Sequence, residues 1–166
     1  IDILITKKDI LEQLVIEEDW TYTNLFPDGR KLSYSKVLIS VPYFFFVTIF
    51  RLLRYTKNKN YDLFIGDLLT IVGMIRGVPT IFATDDVLSA VPQGAVFYQT
   101  ATDIIAPFVT DLGIYNKKKL GYFGYKAIAH LHPNHYKPKR KDLPKELRNN
   151  KYYFIRATGF QASHDI

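Results

Sequence analysis

The chain has 166 residues, a length that favours one compact domain with a sizeable core. Its content of 48% hydrophobic and 23% charged residues is that of a globular protein and excludes a disordered one. The lack of cysteine excludes disulfides, thiolate metal sites and a cysteine nucleophile, while a net charge of +6 permits phosphate-bearing partners without selecting one.

The N-terminal segments predict a strand, a helix and a second strand. Residues 1–6 (IDILIT) form a β-branched apolar run that is typical of a strand. Residues 7–18 carry apolar side chains at helical spacing. Residues 21–26 (TYTNLF) alternate as a strand does, and the Pro-Asp-Gly sequence at 27–29 predicts a turn after it.

A long apolar segment follows at residues 37–54, with arginines at its C-terminal end. Residues 37–50, which are apolar apart from Ser40, Pro42 and Thr48, would make about 21 Å of helix, which is short of the roughly 30 Å hydrocarbon core of a bilayer. We therefore expect a buried or partly buried helix. The alternative is a helix that also rests on a membrane surface, with Phe44, Phe45 and Phe46 toward the lipid and the basic end outward.

The second half of the chain predicts alternating strands and helices. Residues 61–67 (YDLFIGD) form a short apolar strand that ends in Gly-Asp, and 68–77 form a helix closed by glycine. Residues 78–86 form the next strand, which ends in two aspartates, and 101–109 and 118–126 are further short strands. Strands and helices at this spacing predict an α/β fold, a Rossmann-like parallel sheet flanked by helices.

Three aspartates stand at predicted strand ends. Asp67 closes one strand, and Asp85 and Asp86 close the next. In open α/β sheets ligands bind outside the carboxyl ends of the strands, where these carboxylates could hold sugar hydroxyls or act as acid and base. The alternative is that Asp85 or Asp86 caps the following helix.

Three histidines and a basic tract lie close together near residue 135. A metal site needs three or four converging ligands, and His130, His132 and His135 have no complementary cluster of ligands elsewhere in the sequence. Because Pro133 favours an extended or turn geometry before it, we expect a polar surface turn and no metal. The basic tract 137–141 is interrupted by proline and followed by acidic residues, so we expect a solvated linker and no nucleic-acid partner.

Two C-terminal blocks carry a family resemblance. Residues 122–134 (YFGYKAIAHLHPN) resemble the stretch Y-x-G-Y-K-E-L-A-Y-L-H-P-N, and 152–165 (YYFIRATGFQASHD) resemble a strand followed by A-S-H-D. Both are features of an uncharacterised prokaryotic family of GT-B-like glycosyltransferases, related to the superfamily of UDP-N-acetylglucosamine 2-epimerases and glycosyltransferases. Weaker agreement at 1–9, 61–67 and 76–86 extends the resemblance over nearly the whole chain.

The resemblance implies the N-terminal half of a two-domain GT-B-like protein. Residues 1–150 would form the Rossmann-like acceptor-side domain without its first strand and glycine-rich turn. Residues 151–166 would begin the second domain, which binds the nucleotide-sugar. The histidines would then belong to the stretch that leads to the domain crossing.

The implied activity is sugar transfer from a nucleotide-sugar to a polysaccharide or lipid-linked acceptor, without metal or other cofactor. The enzyme would be cytoplasmic and would associate with the membrane surface through residues 37–54, and this part alone would be inactive. Asp67 and Asp85 would be the catalytic groups. The residues implied to bind substrate are Asp86, Tyr125, Lys126 and Arg156.

Two other functions stay open at this point. UDP-sugar 2-epimerases have a similar Gly-Asp, here Gly66 and Asp67, but their next strand carries His-x-Glu-Ala-Gly where this chain has Thr-Asp-Asp-Val at 84–87. The other is a non-catalytic domain that binds a sugar or nucleotide, or scaffolds an assembly.

Overall fold

The structure, a computed structural model, describes residues 1–6, 10–28, 37–126, 132–134, 136–153 and 155. The strands are β1 (Ile3–Ile5), β2 (Tyr22–Asn24), β3 (Phe64–Ile65), β4 (Thr80–Ala83), β5 (Asp103–Pro107) and β6 (Lys119–Tyr122). The α-helices are α1 (Leu11–Glu17), α2 (Val37–Thr56), α3 (Asp67–Arg76) and α4 (Ala95–Thr100). Short 3-10 helices lie at Pro92–Gly94, Gly113–Lys118, Arg140–Asp142 and Lys145–Leu147.

All described strand pairs are parallel, which confirms the predicted α/β class. β1 pairs with β2 in a two-stranded sheet, and β3, β4, β5 and β6 form a second sheet in that order. Parallel neighbours require crossover connections. These contain α1, α3 and α4, and between β5 and β6 the 3-10 helix Gly113–Lys118. The architecture is a Rossmann-like parallel sheet flanked by helices.

The two sheets lie side by side, with β1 next to β3. Leu4 of β1 and Phe64 of β3 both belong to one apolar cluster around Leu52 of α2 and Val72 of α3. The connection from β1 to β2 therefore runs away from β3, while that from β3 to β4 runs the opposite way. Since parallel crossovers are right-handed, we infer that α1 lies on the face opposite α3.

Helices α2, α3 and α4 form the layer on the other face, where α3 packs against both neighbours. Gly73 of α3 approaches β4 so closely that a Cβ there would lie 2.0 Å from Thr80 Cγ2 and 2.7 Å from the Val78 carbonyl oxygen. Gly77 ends α3 in the left-handed conformation, at φ 68°. The predicted helix end is thus confirmed, but α3 begins at Asp67, which is its first residue and not the last residue of the strand.

A second apolar cluster fills the space beneath β4, β5 and α4. Its buried members are Tyr98, Ala101, Ile104, Ala106 and Leu112. Helix α4, which contributes Tyr98, was not among the predicted elements. It is only six residues long, too short for a helical repeat of apolar residues to stand out in the sequence.

Helix α2 is partly buried, as predicted. Leu52 lies in the core, and Phe44 packs edge-to-face against Phe26 with ring centroids 5.9 Å apart. The expected lipid-facing set is corrected in one respect: Phe44 and Phe45 are half-buried, whereas Phe46 is 68% exposed and Phe50 is 64% exposed. Across the described residues we find no helix whose length and apolar character would let it cross a bilayer.

Candidate functional site at the carboxyl edge of the sheet

The carboxyl ends of β3 and β4 are held side by side by backbone hydrogen bonds. The amide of Gly66, just after β3, donates to the Ile81 carbonyl of β4 at 3.1 Å, and the amide of Thr84 donates to the Ile105 carbonyl of β5 at 3.0 Å. The chain therefore leaves both strands at the same edge of the sheet. Asp67 follows Gly66 directly, and Asp85 follows Thr84.

Asp67 combines a fixed backbone with an exposed carboxylate. Its carbonyl accepts the hydroxyl of buried Thr70 at 2.7 Å, and that hydroxyl lies 2.7 Å from the Thr100 hydroxyl of α4. One carboxylate oxygen accepts the Leu68 amide at 2.7 Å, and the side chain is exposed. The N-terminal turn of α3 also favours a negative charge here. Among the residues that the structure describes, none bonds to the second oxygen, which can therefore accept a ligand hydroxyl.

Two adjoining cavities meet at Asp67, and we call them together the Asp67 cleft. One has a volume of about 180 Å³ and the other about 270 Å³, and both are lined by Thr48, Asp67 and Leu68. The remaining lining of the first is Val41, Phe44, Phe45 and Phe97. The cleft thus joins one carboxylate and the threonines Thr6 and Thr48 to aromatic and aliphatic walls. Such a surface suits a ligand with hydroxyl groups and an apolar part.

Asp85 belongs to a different group of side chains. The Tyr122 hydroxyl, at the end of β6, donates to Asp85 Oδ1 at 2.9 Å, and the Thr110 hydroxyl donates to the Asp85 carbonyl at 3.3 Å. Burial raises the pKa of the Tyr122 phenol, and the hydrogen bond and charge of Asp85 raise it further. The backbone of Lys126 acts in the opposite direction on the same pKa. Tyr122 therefore links Asp85 to the start of the segment that follows β6.

The possibility that Asp85 or Asp86 caps a helix does not match the structure. The Asp86 amide donates to Thr84 Oγ1 at 3.1 Å, a local turn, and the Asp86 carbonyl accepts the Tyr98 hydroxyl at 3.3 Å. The next helical segment begins only at Pro92. The Asp86 side chain is exposed at the same edge of the sheet as Asp85.

The candidate residues thus fall into two groups. Neither cavity at Asp67 is lined by Asp85, while Tyr125 and Lys126 are exposed just beyond Tyr122. Arg156 lies outside the described residues, as do His130 and His135. Sequence reasoning missed Tyr122, although it begins the stretch 122–134 that carries the family resemblance. It also missed Phe97, which reaches the cleft from the unpredicted helix α4.

The histidine segment is described only in part. His132 is exposed, and its Nδ1 accepts the Asn134 amide at 3.2 Å, so its ring takes part in the surface turn. In the described portions of the chain no group of three histidine, aspartate or glutamate side chains is placed to hold a metal ion.

Comparison of the chain with protein-family models, with curated proteins and with solved structures finds no match.

Proposed function

We propose that this chain is the acceptor-side domain of a GT-B-like glycosyltransferase, which moves a sugar from a nucleotide-sugar to a polysaccharide or lipid-linked acceptor. The observation that carries the proposal is the Asp67 cleft. It places an exposed carboxylate at the carboxyl edge of a parallel sheet, the usual ligand-binding position of α/β folds. A carboxylate beside apolar walls suits both a sugar hydroxyl and the apolar carrier of that sugar.

In this proposal Asp67 is the general base. The acceptor hydroxyl oxygen forms a bond to the anomeric carbon of the donor sugar, and its proton passes to the free carboxylate oxygen of Asp67. The bond between the anomeric carbon and the nucleotide diphosphate breaks, and the diphosphate leaves with the bonding electrons. No metal or further cofactor enters these steps, since the base belongs to the chain and the nucleotide-sugar is a substrate.

The second group of residues would face the donor. Lys126 is a cation in the segment after β6, and its charge suits the donor diphosphate. Asp85 was expected to be a second catalytic group, but it is held by Tyr122 and does not line the Asp67 cleft, so in this proposal it binds sugar hydroxyls. The exposed Asp86 and Tyr125 offer further hydrogen bonds at the same edge. Arg156 is assigned to the donor by the family resemblance alone.

The exposed side chains of helix α2 favour a lipid-linked acceptor over a soluble one. Phe44 and Phe45 line the cleft on one side of the helix, while Phe46 and Phe50 are exposed on the other. The basic side chain of Arg54 lies exposed one turn beyond Phe50. An aromatic stripe with a basic end is the pattern of a helix that rests on an anionic membrane surface. An acceptor held in that membrane would lie next to the cleft.

The test is calorimetric titration of the full-length protein with UDP-, GDP-, dTDP- and CMP-sugars, with residues 1–166 in parallel. We expect saturable binding of one nucleotide class by the full-length protein and none by residues 1–166. Failure of every nucleotide-sugar to bind the full-length protein would refute the proposed transfer. Conversion of a UDP-sugar to its epimer without acceptor would replace it with the epimerase function.

A further inference from the structure

An arginine of helix α2 lies beside the Asp67 cleft. The Arg51 guanidinium donates through Nη1 to the carbonyl of Leu25, the residue that follows β2. Its Cζ also lies over the Phe26 ring, 4.2 Å from the ring centroid. Leu25 lines the second cavity of the cleft together with Asp67. The guanidinium is therefore fixed at the edge of the cleft by a carbonyl and an aromatic ring.

These two contacts leave Arg51 without a counterion among the described residues. The ion pair that the described part of the chain contains joins Lys59 to Asp2. The Arg51 side chain is exposed, and one bond to a carbonyl uses only a part of its N–H donors. A guanidinium that is already held in place loses less conformational freedom when it binds an anion. Arg51 is thus preorganised for an anionic ligand.

The position of Arg51 on α2 separates the cleft from the exposed aromatic stripe. The helical repeat puts Thr48, which lines both cavities, on one side of Arg51. It puts Phe50 and Arg54, whose side chains are exposed, on the other side. A ligand that extends from the stripe into the cleft therefore passes the guanidinium.

The order of these surfaces indicates the chemistry of the ligand. An apolar stripe, then a cation, then a cleft with the carboxylate of Asp67 match an apolar chain, an anion and a sugar joined in that order. Phosphate oxygens accept paired hydrogen bonds from the planar guanidinium, which makes arginine a common phosphate ligand. A neutral polysaccharide would leave Arg51 without such a bond.

We propose that Arg51 binds the phosphate that joins sugar and lipid in the acceptor, so that the Asp67 cleft takes a sugar linked to a prenyl chain through phosphate or diphosphate. Arg51 determines specificity, because it contacts the linkage and not the reacting hydroxyl. The assignment rests on the proposed sugar transfer, and it narrows the acceptor of that transfer to one class.

The test is calorimetric titration of the full-length protein and its Arg51→Gln variant with geranyl diphosphate, and with geraniol as the same chain without phosphate. We expect Arg51→Gln to bind geranyl diphosphate about tenfold or more weakly, the loss typical of a hydrogen bond between charged groups. Affinity for geraniol should be the same in both proteins, since it has no phosphate for Arg51 to bind.

Two further variants separate phosphate binding from general effects of charge and folding. Lys57→Gln removes the same charge from an exposed residue just after α2 that does not line the cleft, and its affinity for geranyl diphosphate should match that of the wild type. Arg51→Lys keeps the charge without the planar fork and should recover part of the loss. An Arg51→Lys variant as weak as Arg51→Gln, or an equal loss in Lys57→Gln, would contradict a specific phosphate contact.

The source of the phosphate is decided by two more measurements on Arg51→Gln. Reduced cosedimentation with phosphatidylserine vesicles, with binding of geranyl diphosphate unchanged, would assign Arg51 to membrane headgroups and overturn the proposal. Weaker binding of nucleotide-sugars, with binding of geranyl diphosphate unchanged, would assign it to the donor and overturn the proposal equally.

Failure of this proposal is distinct from failure of the proposed transfer. A wild-type protein that binds a nucleotide-sugar but not geranyl diphosphate would overturn the role of Arg51 and leave the transfer standing. A wild-type protein that binds no nucleotide-sugar, yet binds geranyl diphosphate through Arg51, would refute the transfer and support the phosphate contact.

Discussion

At the scale of single residues, the hydrogen bond from Tyr122 to Asp85 makes a prediction about ionisation. Burial and Asp85 both raise the pKa of Tyr122 above its ordinary value of 10.0. In Asp85→Asn the contributions of the carboxylate are lost, while that of burial, the largest, remains. We therefore expect the pKa of Tyr122 to fall in Asp85→Asn but to stay above its ordinary value.

The measurement is ultraviolet titration near 295 nm, in which the contribution of Tyr122 is the difference between each protein and the same protein with Tyr122→Phe. Because the folded-state pKa is raised, the contribution of Tyr122 to stability is complete below pH 10 and declines as the pH rises through the folded-state pKa. A Tyr122 pKa at its ordinary value, or one that Asp85→Asn leaves unchanged, would contradict the hydrogen bond from Tyr122 to Asp85.

The sequence located the aspartates but not their surroundings. Asp67 and Asp85 could be assigned to one sheet edge because strand ends are visible as the last residues of apolar runs. Their separation into two groups depends on Tyr122 and Phe97, which come from β6 and α4. Those contacts are set by tertiary packing, to which neither periodicity nor motif spacing refers.

At the scale of elements, the contact of α3 with β4 depends on Gly73. A methyl group at this position would meet Thr80 Cγ2 at 2.0 Å and the Val78 carbonyl at 2.7 Å. We expect Gly73→Ala to reduce the free energy of unfolding by about 1–3 kcal/mol, as overpacking does in well-packed cores. Denaturant unfolding monitored by circular dichroism measures the change.

The control for this prediction is Thr80→Ser, which removes the closest atom. Combined with Gly73→Ala it should recover part of the lost stability, because the contact with the Val78 carbonyl remains. A double variant as unstable as the sum of the two single changes would show that the methyl contact is not the cause.

Helix α2 makes a prediction about membranes that uses the exposed residues. Phe46→Ser combined with Phe50→Ser should lower cosedimentation with vesicles rich in phosphatidylserine by about tenfold or more, because burying one Phe contributes about 1.5–3 kcal/mol. Phe123→Ser is the matched control, since Phe123 is also exposed but lies after β6. Equal cosedimentation of the double variant and wild type would exclude a membrane role for this stripe.

The described strands and the helices α1, α2 and α3 could be predicted from the sequence, and the six-residue helix α4 could not. Helix α3 was predicted with its glycine end because apolar spacing and Gly77 agree. The six-residue helix α4 is formed by residues whose position is decided by burial of Tyr98, which makes edge and tilted contacts with Tyr115 and Phe82. Which aromatic residues of α2 face outward also follows from packing, and the predicted trio was therefore only one-third right: Phe46 is exposed, and Phe44 and Phe45 are half-buried.

At the scale of the whole molecule, the parallel class of the sheet follows from the alternation of strands and helices. The separation of β1 and β3 into two hydrogen-bonded sheets does not follow from this alternation. The alternation gives the order of elements along the chain but not which strands pair. The Asp67 cleft lies where the two sheets meet, since the second of its cavities is lined by Leu4 of β1 and Ile65 of β3.

The measurement that tests the account most directly is binding of a short-chain prenyl-diphosphate monosaccharide to the full-length protein and to its Asp67→Asn variant, followed by calorimetry. Asp62→Asn is the matched control, because Asp62 is exposed before β3 and does not line the cleft. Since a lost charge-assisted hydrogen bond costs about 1.5–3 kcal/mol, we predict that affinity falls at least about tenfold in Asp67→Asn and is unchanged in Asp62→Asn. Binding that is absent from the wild type, or equal in all three proteins, would contradict an acceptor site at Asp67.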